Sequence, residues 1–152
     1  MKFPKPVADA LQKFPEIFSG ETAYAGALSA AWARGRVNII GEHTDYNDGF
    51  VLPAAVDRVA AFAGRMRDDQ TVRLWSQHFQ EQAQFSLDGL PENFEQQREN
   101  LPTWARYVMG VASELKREGA QLQGFDAVVG GDVPLGSGMS SSASVEVGSA
   151  EA

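Results

Sequence analysis

Runs of apolar residues with two different periodicities divide the chain into short strands and helices. Apolar positions recur at helical spacing from Val7 to Phe18, which predicts a short amphipathic helix. Small and branched apolar residues from Leu28 to Ile40 predict a strand that enters a glycine turn at Gly41. The segment from Phe50 to Met66 is rich in Val, Ala and Phe, which indicates one or two buried strands.

The middle of the chain continues with half-buried strands. The segments Thr71 to Phe79 and Gln82 to Leu87 alternate apolar and polar residues, as strands with one exposed face do. Asp68-Asp69 lies between two apolar runs and is predicted to form a hairpin tip. The polar segment from Asp88 to Leu101 is predicted to be a loop.

The clearest helical pattern follows that loop. Apolar residues recur at helical spacing at five positions, Trp104, Tyr107, Val108, Val111 and Leu115. Thr103 is the expected N-cap, Lys116 and Arg117 suit the last turn, and Gly119 suits the end of the helix.

A short apolar strand is predicted from Phe125 to Val129. A glycine-rich loop from Gly130 to Gly138 follows it, and a helix is expected to begin within Met139 to Val147. Because most strands precede the helices, the pattern predicts an α+β fold in which helices pack on a sheet.

Composition narrows the functional classes. The 152 residues suggest one domain, and 43% hydrophobic residues are enough to build a core. A net charge of −7 disfavours nucleic acids and anionic membranes as partners, although backbone amides can still bind a phosphate locally. The chain has no cysteine, which excludes disulfides and thiol chemistry, and only two histidines. No signal-peptide core or membrane-spanning stretch is present, so a cytoplasmic protein is expected.

The segment from Val133 to Ser144 combines glycines and serines at the end of a predicted strand. Glycines let a backbone approach an anion, and the N-terminus of the following helix offers unpaired amides to it. Serine hydroxyls add donors, and one of them can ligate a magnesium ion that bridges phosphates. The segment fits neither the Walker A loop nor the dinucleotide fingerprint. A flexible turn followed by a serine N-cap remains an alternative.

A dense polar cluster lies between two apolar strands, within Glu42 to Phe50. Carboxylates and an imidazole at a rigid turn can hold adjacent hydroxyl groups of a sugar in fixed directions. Arg36, just upstream, could neutralise charge on a transferring phosphoryl group. Each feature also has a plain structural alternative: a simple turn at Asp45 to Gly49, a hydrogen-bonding role for His43, and a surface ion pair for Arg36.

The two segments together resemble the GHMP kinase superfamily and, within it, the galactokinases. Gly35 to Asn47 is similar to the galactokinase signature nearly residue for residue, and Val51-Leu52-Pro53 also matches. Pro134 to Ser144 resembles the ATP-phosphate loop of the superfamily. The resemblance covers roughly Thr22 to Val147, with Arg34 in place of a proline and Met139 in place of a leucine. It implies a mixed, mostly antiparallel sheet of the ribosomal protein S5 domain 2-like type.

The resemblance also implies roles for individual residues. Arg36 corresponds to the arginine that stabilises the transferred phosphate and the anomeric oxygen of the sugar. The residues that correspond to the sugar-binding turn are Glu42, His43, Thr44 and Asp45. The residues that correspond to nucleotide contacts are Ser76, Gly136, Ser137, Gly138, Met139, Ser140, Ser141 and Ser142, and Ser142 is also the magnesium-linked serine.

The implied reaction is transfer of the ATP γ-phosphoryl group to the 1-hydroxyl of α-D-galactose, the entry step of the Leloir route, with ATP and Mg²⁺ as cofactors. Galactose is the expected partner, with no nucleic acid and no membrane. Family members are longer, and their catalytic aspartate, magnesium-binding glutamate and second glycine-rich motif lie beyond residue 152. The chain is therefore expected to be a truncated N-terminal domain, with residues 1–21 as an extension, residues 22–147 bearing the motifs, and the C-terminal domain absent.

Such a truncated domain is expected to have little or no kinase activity and exposed apolar surface, and to associate with itself, whereas full-length members are expected to be monomers. Two other functions remain open: a regulatory module that binds galactose and ATP, and another GHMP kinase such as an N-acetylgalactosamine kinase. The uninterrupted run Ser140-Ser141-Ser142-Ala143 favours the enzyme, because the regulatory relatives have a shorter serine run. The polar turn and the phosphate loop are expected to face each other across a gap the size of one hexose.

Overall fold

The structure is a computed structural model that describes residues 3–19, 26–41, 43–44, 47–134 and 138–152. In chain order the elements are α1 (Lys5–Ile17), β1 (Ser29–Ile40), β2 (Leu52–Met66), β3 (Thr71–Ser76), β4 (Glu81–Ser86), α2 (Phe94–Glu99), α3 (Thr103–Arg117), β5 (Phe125–Gly131) and α4 (Ser141–Glu151). Among the described residues no helix is long and apolar enough to cross a bilayer.

The five strands form one sheet in the order β1-β2-β5-β3-β4. Three neighbouring pairs are antiparallel, β1 with β2, β2 with β5, and β3 with β4, whereas β3 and β5 run parallel. The predicted α+β fold with a mixed, mostly antiparallel sheet is therefore confirmed.

Alternate residues of the central strands face two different helical layers, as the two-residue period of a strand requires. Ala63, Trp75 and Val128 pack against α1 on one face of the sheet. Their neighbours Phe62 and Leu74 face the opposite side, where they join the larger core beneath α3. The molecule thus has a helix–sheet–helix arrangement, and the candidate site lies on the α3 side.

Helix α1 confirms the amphipathic pattern from Val7 to Phe18. Its buried face presents Val7, Ala10 and Phe14 to the sheet. The guanidinium carbon of Arg65 lies 5.9 Å from the centre of the Phe14 ring, and that of Arg73 lies 5.5 Å from the centre of the Phe18 ring. These cation–π contacts add to the apolar burial that holds α1 on the sheet.

A charged cluster lies under the same face, at the start of β5. Asp126 is 0% exposed and accepts a hydrogen bond of 2.7 Å from Nε of Arg73. Nη1 of Arg67 lies 3.3 Å from each Asp126 carboxylate oxygen, and Arg67 also donates to the more exposed Asp69 at 2.7 and 2.9 Å. Hydrogen bonds from Arg67 and from the Thr71 amide hold the pKa of Asp69 well below its usual range.

Two strand predictions need correction. Asp68-Asp69 does not form a hairpin tip, because β5 lies between β2 and β3 in the sheet. Phe50 to Met66 forms a single strand that begins at Leu52, and the prediction that it is buried holds only for its second half. The reason is that β5 pairs only with Ala60 to Met66, so the first half of β2 has β1 as its one neighbour.

Two helix predictions also need correction. The segment Asp88 to Leu101 is not entirely loop, since α2 lies within it, and the Gln97 side chain pairs with both backbone groups of Ser86. Thr103 is the first residue of α3 rather than its N-cap, a position that Pro102 occupies without a side-chain cap. The last helix begins at Ser141, inside the range expected for its start, and continues through Gly148 to Glu151. The remaining predicted elements are confirmed, including the end of α3 before Gly119, which has φ +92°.

The hairpin of β1 and β2 exposes apolar side chains beyond the sheet core. Phe50 is fully exposed, and Ile39, Ile40 and Leu52 are each more than half exposed. The expectation of exposed apolar surface is therefore confirmed at this hairpin. Self-association, in contrast, stays a prediction.

Candidate nucleotide and sugar site

Strand β1 and the residues just before α4 contact each other directly, although about a hundred positions separate them in the chain. The backbone amide of Arg36 donates a 3.1 Å hydrogen bond to the carbonyl oxygen of Met139. The Arg36 guanidinium also donates through Nη1 to the hydroxyl of Ser140. Gly35 permits this approach, because a Cβ there would lie 2.8 Å from the Met139 oxygen. The structure thus joins the strand of the first motif to the loop of the second.

Ser140 turns the chain into α4 with a left-handed backbone, φ 54° and ψ 49°. That conformation is uncommon for residues other than glycine, asparagine and aspartate. Its carbonyl accepts a 3.0 Å bond from the Ser144 amide, but its hydroxyl makes no capping bond to the helix. The hydroxyl is instead directed toward Arg36.

A cavity of about 320 Å³ opens beside this junction. It lies where the parallel strands β3 and β5 end and where helices α3 and α4 begin. Its lining combines apolar, aromatic and hydroxyl side chains with two backbone glycines: Val59, Ala60, Ser76, His78, Phe79, Thr103, Trp104, Tyr107, Val129, Gly130, Gly131, Val133, Ser141, Ser142, Ser144 and Val145.

Three of the predicted nucleotide contacts meet in this cavity. Ser76 at the end of β3 is 4% exposed and accepts a 3.3 Å bond from the Phe79 amide, which leaves its hydroxyl proton available to a ligand. Ser141 and Ser142 line the cavity from the first turn of α4. Residues that are distant in sequence therefore supply hydroxyl groups to one space.

An aromatic wall, formed by Phe79, Trp104 and Tyr107, lines part of the cavity. The rings of Phe79 and Trp104 stack with an interplanar angle of 17° and centroids 6.4 Å apart, and Tyr107 lies one turn further along α3. The Trp104 indole N–H donates to Glu81 at 2.5 Å, which fixes the ring. In the sequence, Trp104 and Tyr107 fit the apolar pattern of a helix, and nothing in that pattern indicates that they line a site.

The electrostatics of the cavity suit an anion. Helices α3 and α4 both begin at it, and neither has an acidic residue in its first turn. The amides at a helix N-terminus carry partial positive charge that favours phosphate groups. The acidic residues that give the chain its net negative charge are therefore absent from the two first turns that face the cavity.

The predicted sugar turn follows the end of β1. His43 and Thr44 are both exposed there. The Thr44 hydroxyl donates to the Phe50 carbonyl at 3.0 Å, and the Thr44 carbonyl accepts from the amides of Asn47 and Gly49. Thr44 thus closes the turn through its own hydrogen bonds.

Several predicted site residues lie outside the described residues: Glu42, Asp45, Gly136 and Ser137. Their roles, and the hexose-sized gap between Asp45 and the phosphate loop, stay predictions. Gly138 is described and has φ 73° with open space around it, a backbone that glycine adopts readily. In the described part of the chain no group of three or more acidic or histidine side chains could hold a metal ion.

Both motifs match models of known protein families. A model of the galactokinase galactose-binding signature matches residues 12–66, and a model of the GHMP kinase N-terminal domain matches residues 106–152. The galactokinases of Chloroflexus aggregans and Chloroflexus aurantiacus are 49% and 48% identical to the chain over 117 residues. Those matches cover 77% of this chain, which spans 28% of the length of either relative.

Two solved kinase structures are also similar to this chain. Lactococcus lactis galactokinase complexed with galactose superposes with a TM-score of 0.76 at 36% identity, over 90% of this chain and 34% of that one. Methanococcus jannaschii mevalonate kinase superposes with a TM-score of 0.64 at 17% identity, over 83% of this chain and 39% of that one. The second similarity shows the fold alone.

Proposed function

We propose that this chain, which corresponds in sequence and fold to the N-terminal portion of the galactokinases, carries the galactose-binding turn and the nucleotide cavity of a sugar 1-kinase. The reaction is transfer of the γ-phosphoryl group of ATP, the donor of GHMP kinases, to the 1-hydroxyl of α-D-galactose. The observation that carries the proposal is the junction of Arg36 with Met139 and Ser140, because it brings the strand of the sugar motif against the phosphate loop.

The cavity supports the nucleotide part of the proposal. Its aromatic wall of Phe79, Trp104 and Tyr107 offers flat apolar surface to a base. The N-terminus of α4, with Ser141 and Ser142, offers amides and hydroxyls to the phosphates. The lining therefore combines apolar surface for a base with hydrogen-bond donors for phosphates, as a nucleotide requires.

Magnesium fits the site only as a partner of the nucleotide. The ion is usually bound by one or two protein oxygens together with substrate phosphates and water. The Ser142 hydroxyl is the described group that we assign to it, and the phosphates would supply further ligands. When bound, the ion neutralises charge on the β- and γ-phosphates.

The sugar part assigns the acceptor to the turn after β1. Glu42, His43 and Asp45 would hold ring hydroxyls, and Thr44 would keep the turn closed. The 1-hydroxyl oxygen then attacks the γ-phosphorus, the bond from that phosphorus to the bridging oxygen of ADP breaks, and the hydroxyl proton passes to a base. By the resemblance that base is an aspartate. The contact of Arg36 with Ser140 in the phosphate loop supports our assignment of its positive charge to the stabilisation of the transferring group.

Calorimetric titration of residues 1–152 tests both binding functions separately. We expect binding of galactose and of magnesium with adenylyl imidodiphosphate, a non-hydrolysable ATP analogue. Trp104→Leu should weaken binding of the nucleotide and leave binding of galactose unchanged. Asp45→Asn should weaken binding of galactose and leave binding of the nucleotide unchanged. Trp32→Leu is the matched control, since Trp32 packs edge-on against Phe3 at 5.8 Å and does not line the cavity.

Absence of binding for both ligands contradicts the proposal. Equal or tighter binding of N-acetylgalactosamine would favour the alternative amino-sugar kinase. The regulatory alternative predicts that the complete natural polypeptide containing residues 1–152 binds both ligands yet releases no ADP in a coupled assay. Galactose-dependent ADP release by that polypeptide would support the kinase.

A further inference from the structure

We infer that Ser140 is a positioning residue for Arg36 rather than a phosphate ligand, an inference that rests on the proposed function. The hydroxyl of Ser140 accepts a hydrogen bond from the Arg36 guanidinium. This contact crosses 104 positions of sequence and links the first motif to the second. It gives the guanidinium a fixed neighbour at the edge of the phosphate loop.

The backbone of Ser140 supports this assignment. Serine is a favoured N-cap because its hydroxyl normally accepts a bond from an amide in the first turn of the helix. Ser140 occupies that position before α4, but its side chain makes no capping bond. Its left-handed backbone, with φ 54°, carries an energetic cost for a residue that has a Cβ. The hydroxyl is therefore directed away from helix capping and toward Arg36.

The strand beneath the loop is built to keep this geometry. The Arg36 amide holds the Met139 carbonyl at 3.1 Å, so the residue before Ser140 is anchored to β1. Gly35 lies directly under that carbonyl, where a Cβ would come within 2.8 Å of the oxygen. Both the backbone and the side chain of Arg36 thus contact consecutive residues of the loop.

The functional consequence concerns the γ-phosphate. A guanidinium that is fixed at the loop can meet a terminal phosphate without first losing rotamer freedom, so its hydrogen bonds to that group are stronger. Ser140 would then contribute to binding of a nucleoside triphosphate without contacting it. The affinity for ADP, which lacks the γ-phosphate, should therefore not depend on Ser140.

The test compares the affinities of residues 1–152 for ADP and for adenylyl imidodiphosphate, each with magnesium, by calorimetry. Because charge-assisted hydrogen bonds are involved, Ser140→Ala is expected to weaken the triphosphate analogue by about five- to tenfold and ADP by less than about twofold. Arg36→Met should remove the preference for the analogue, and Ser140→Ala in that background should cause no further loss.

Two further variants separate side-chain positioning from backbone shape. Ser140→Gly removes the hydroxyl but accepts a left-handed backbone, so it should also lose the preference for the analogue. Ser140→Asn tolerates that backbone and retains an acceptor oxygen, so it should restore part of the preference. Ser149→Ala, the same type of change at an exposed serine of α4, should alter neither affinity.

Additive losses in the double variant would overturn the inference, because they would mean that Ser140 contacts the phosphates itself. An unchanged preference of Ser140→Gly for the triphosphate analogue over ADP would also overturn the inference, since only the backbone conformation of residue 140 would then matter. If the wild type binds ADP and the analogue equally, the inference fails while the proposed nucleotide function stands. If neither nucleotide binds, the proposed function itself fails.

Discussion

Replacing Gly148 with alanine should destabilise the protein although alanine is the better helix former. Gly148 lies inside α4, where it packs on the sheet, and a Cβ there would come 2.8 and 3.1 Å from two carbon atoms of the Phe62 ring. Phe62 is 1% exposed in the core beneath α3, so the ring has little room to move. Alanine gains about 1 kcal/mol of helix propensity, whereas overpacking a core costs about 1–3 kcal/mol.

The chain provides a matched control in the neighbouring helix. Gly110 lies inside α3, and a Cβ there would meet no atom within 4 Å. Gly110→Ala should therefore stabilise the protein by about 0.5–1 kcal/mol. Gly148→Ala should lower stability by up to about 2 kcal/mol, the overlap cost less the propensity gain.

Urea unfolding followed by circular dichroism at 222 nm measures both changes. Affinity for adenylyl imidodiphosphate should fall in Gly148→Ala and stay unchanged in Gly110→Ala, because α4 carries Ser141 and Ser142 into the cavity. Combining Gly148→Ala with Phe62→Leu should recover stability relative to Phe62→Leu alone. Equal stabilisation by the two glycine replacements would refute the close packing of α4 on β2.

Three further predictions concern the buried charges and the loop anchor. Asp126→Asn should destabilise the fold by about 3–5 kcal/mol in urea unfolding, because the guanidiniums of Arg67 and Arg73 lose a buried partner. Asp69→Asn, at the more exposed end of the same charged cluster, should destabilise it by about 0–1 kcal/mol. The pKa of Asp69 is depressed in the folded state, so Asp69 contributes stability that is fully present above about pH 4 and is lost as the pH falls further. The thermal unfolding temperature of Asp69→Asn should therefore depend less on pH below about 4 than that of the wild type. Gly35→Ala should displace the Met139 carbonyl from the Arg36 amide and weaken binding of the triphosphate analogue by about fivefold, the value of one hydrogen bond of about 1 kcal/mol; unchanged affinity in calorimetry would contradict the anchor.

The sequence was sufficient to predict where most helices and strands lie, because their periodic patterns are local. It was not sufficient to predict how the strands are ordered. Two apolar strand segments separated by Asp68-Asp69 satisfy the local rule for a hairpin, yet β5, more than fifty residues later, inserts between them. The resulting parallel pair of β3 and β5 ends at the cavity, so the arrangement that creates the site depends on a non-local pairing.

The candidate site, too, could be predicted from the sequence only in part. The glycine–serine segment and the polar turn were identifiable from their chemistry, but the aromatic wall was not. Trp104 and Tyr107 fit the helical pattern of α3, and a pattern indicates which face is apolar without showing how much of it a neighbour covers. In the first turn of α3, Ala105 is buried in the core whereas Thr103 and Trp104 line the cavity, and only the fold shows this difference.

Glycines in this protein illustrate why the remaining features depend on tertiary contacts. Sequence alone does not tell whether a glycine provides an unusual backbone or the space for a neighbour. Gly138 has positive φ and open surroundings, whereas Gly148 and Gly35 each leave room for an atom that would otherwise lie within 3 Å of a Cβ. The position of the phosphate loop is therefore set by β1 and β2 beneath it. It follows that nucleotide affinity should respond to substitutions in strand residues that do not line the cavity.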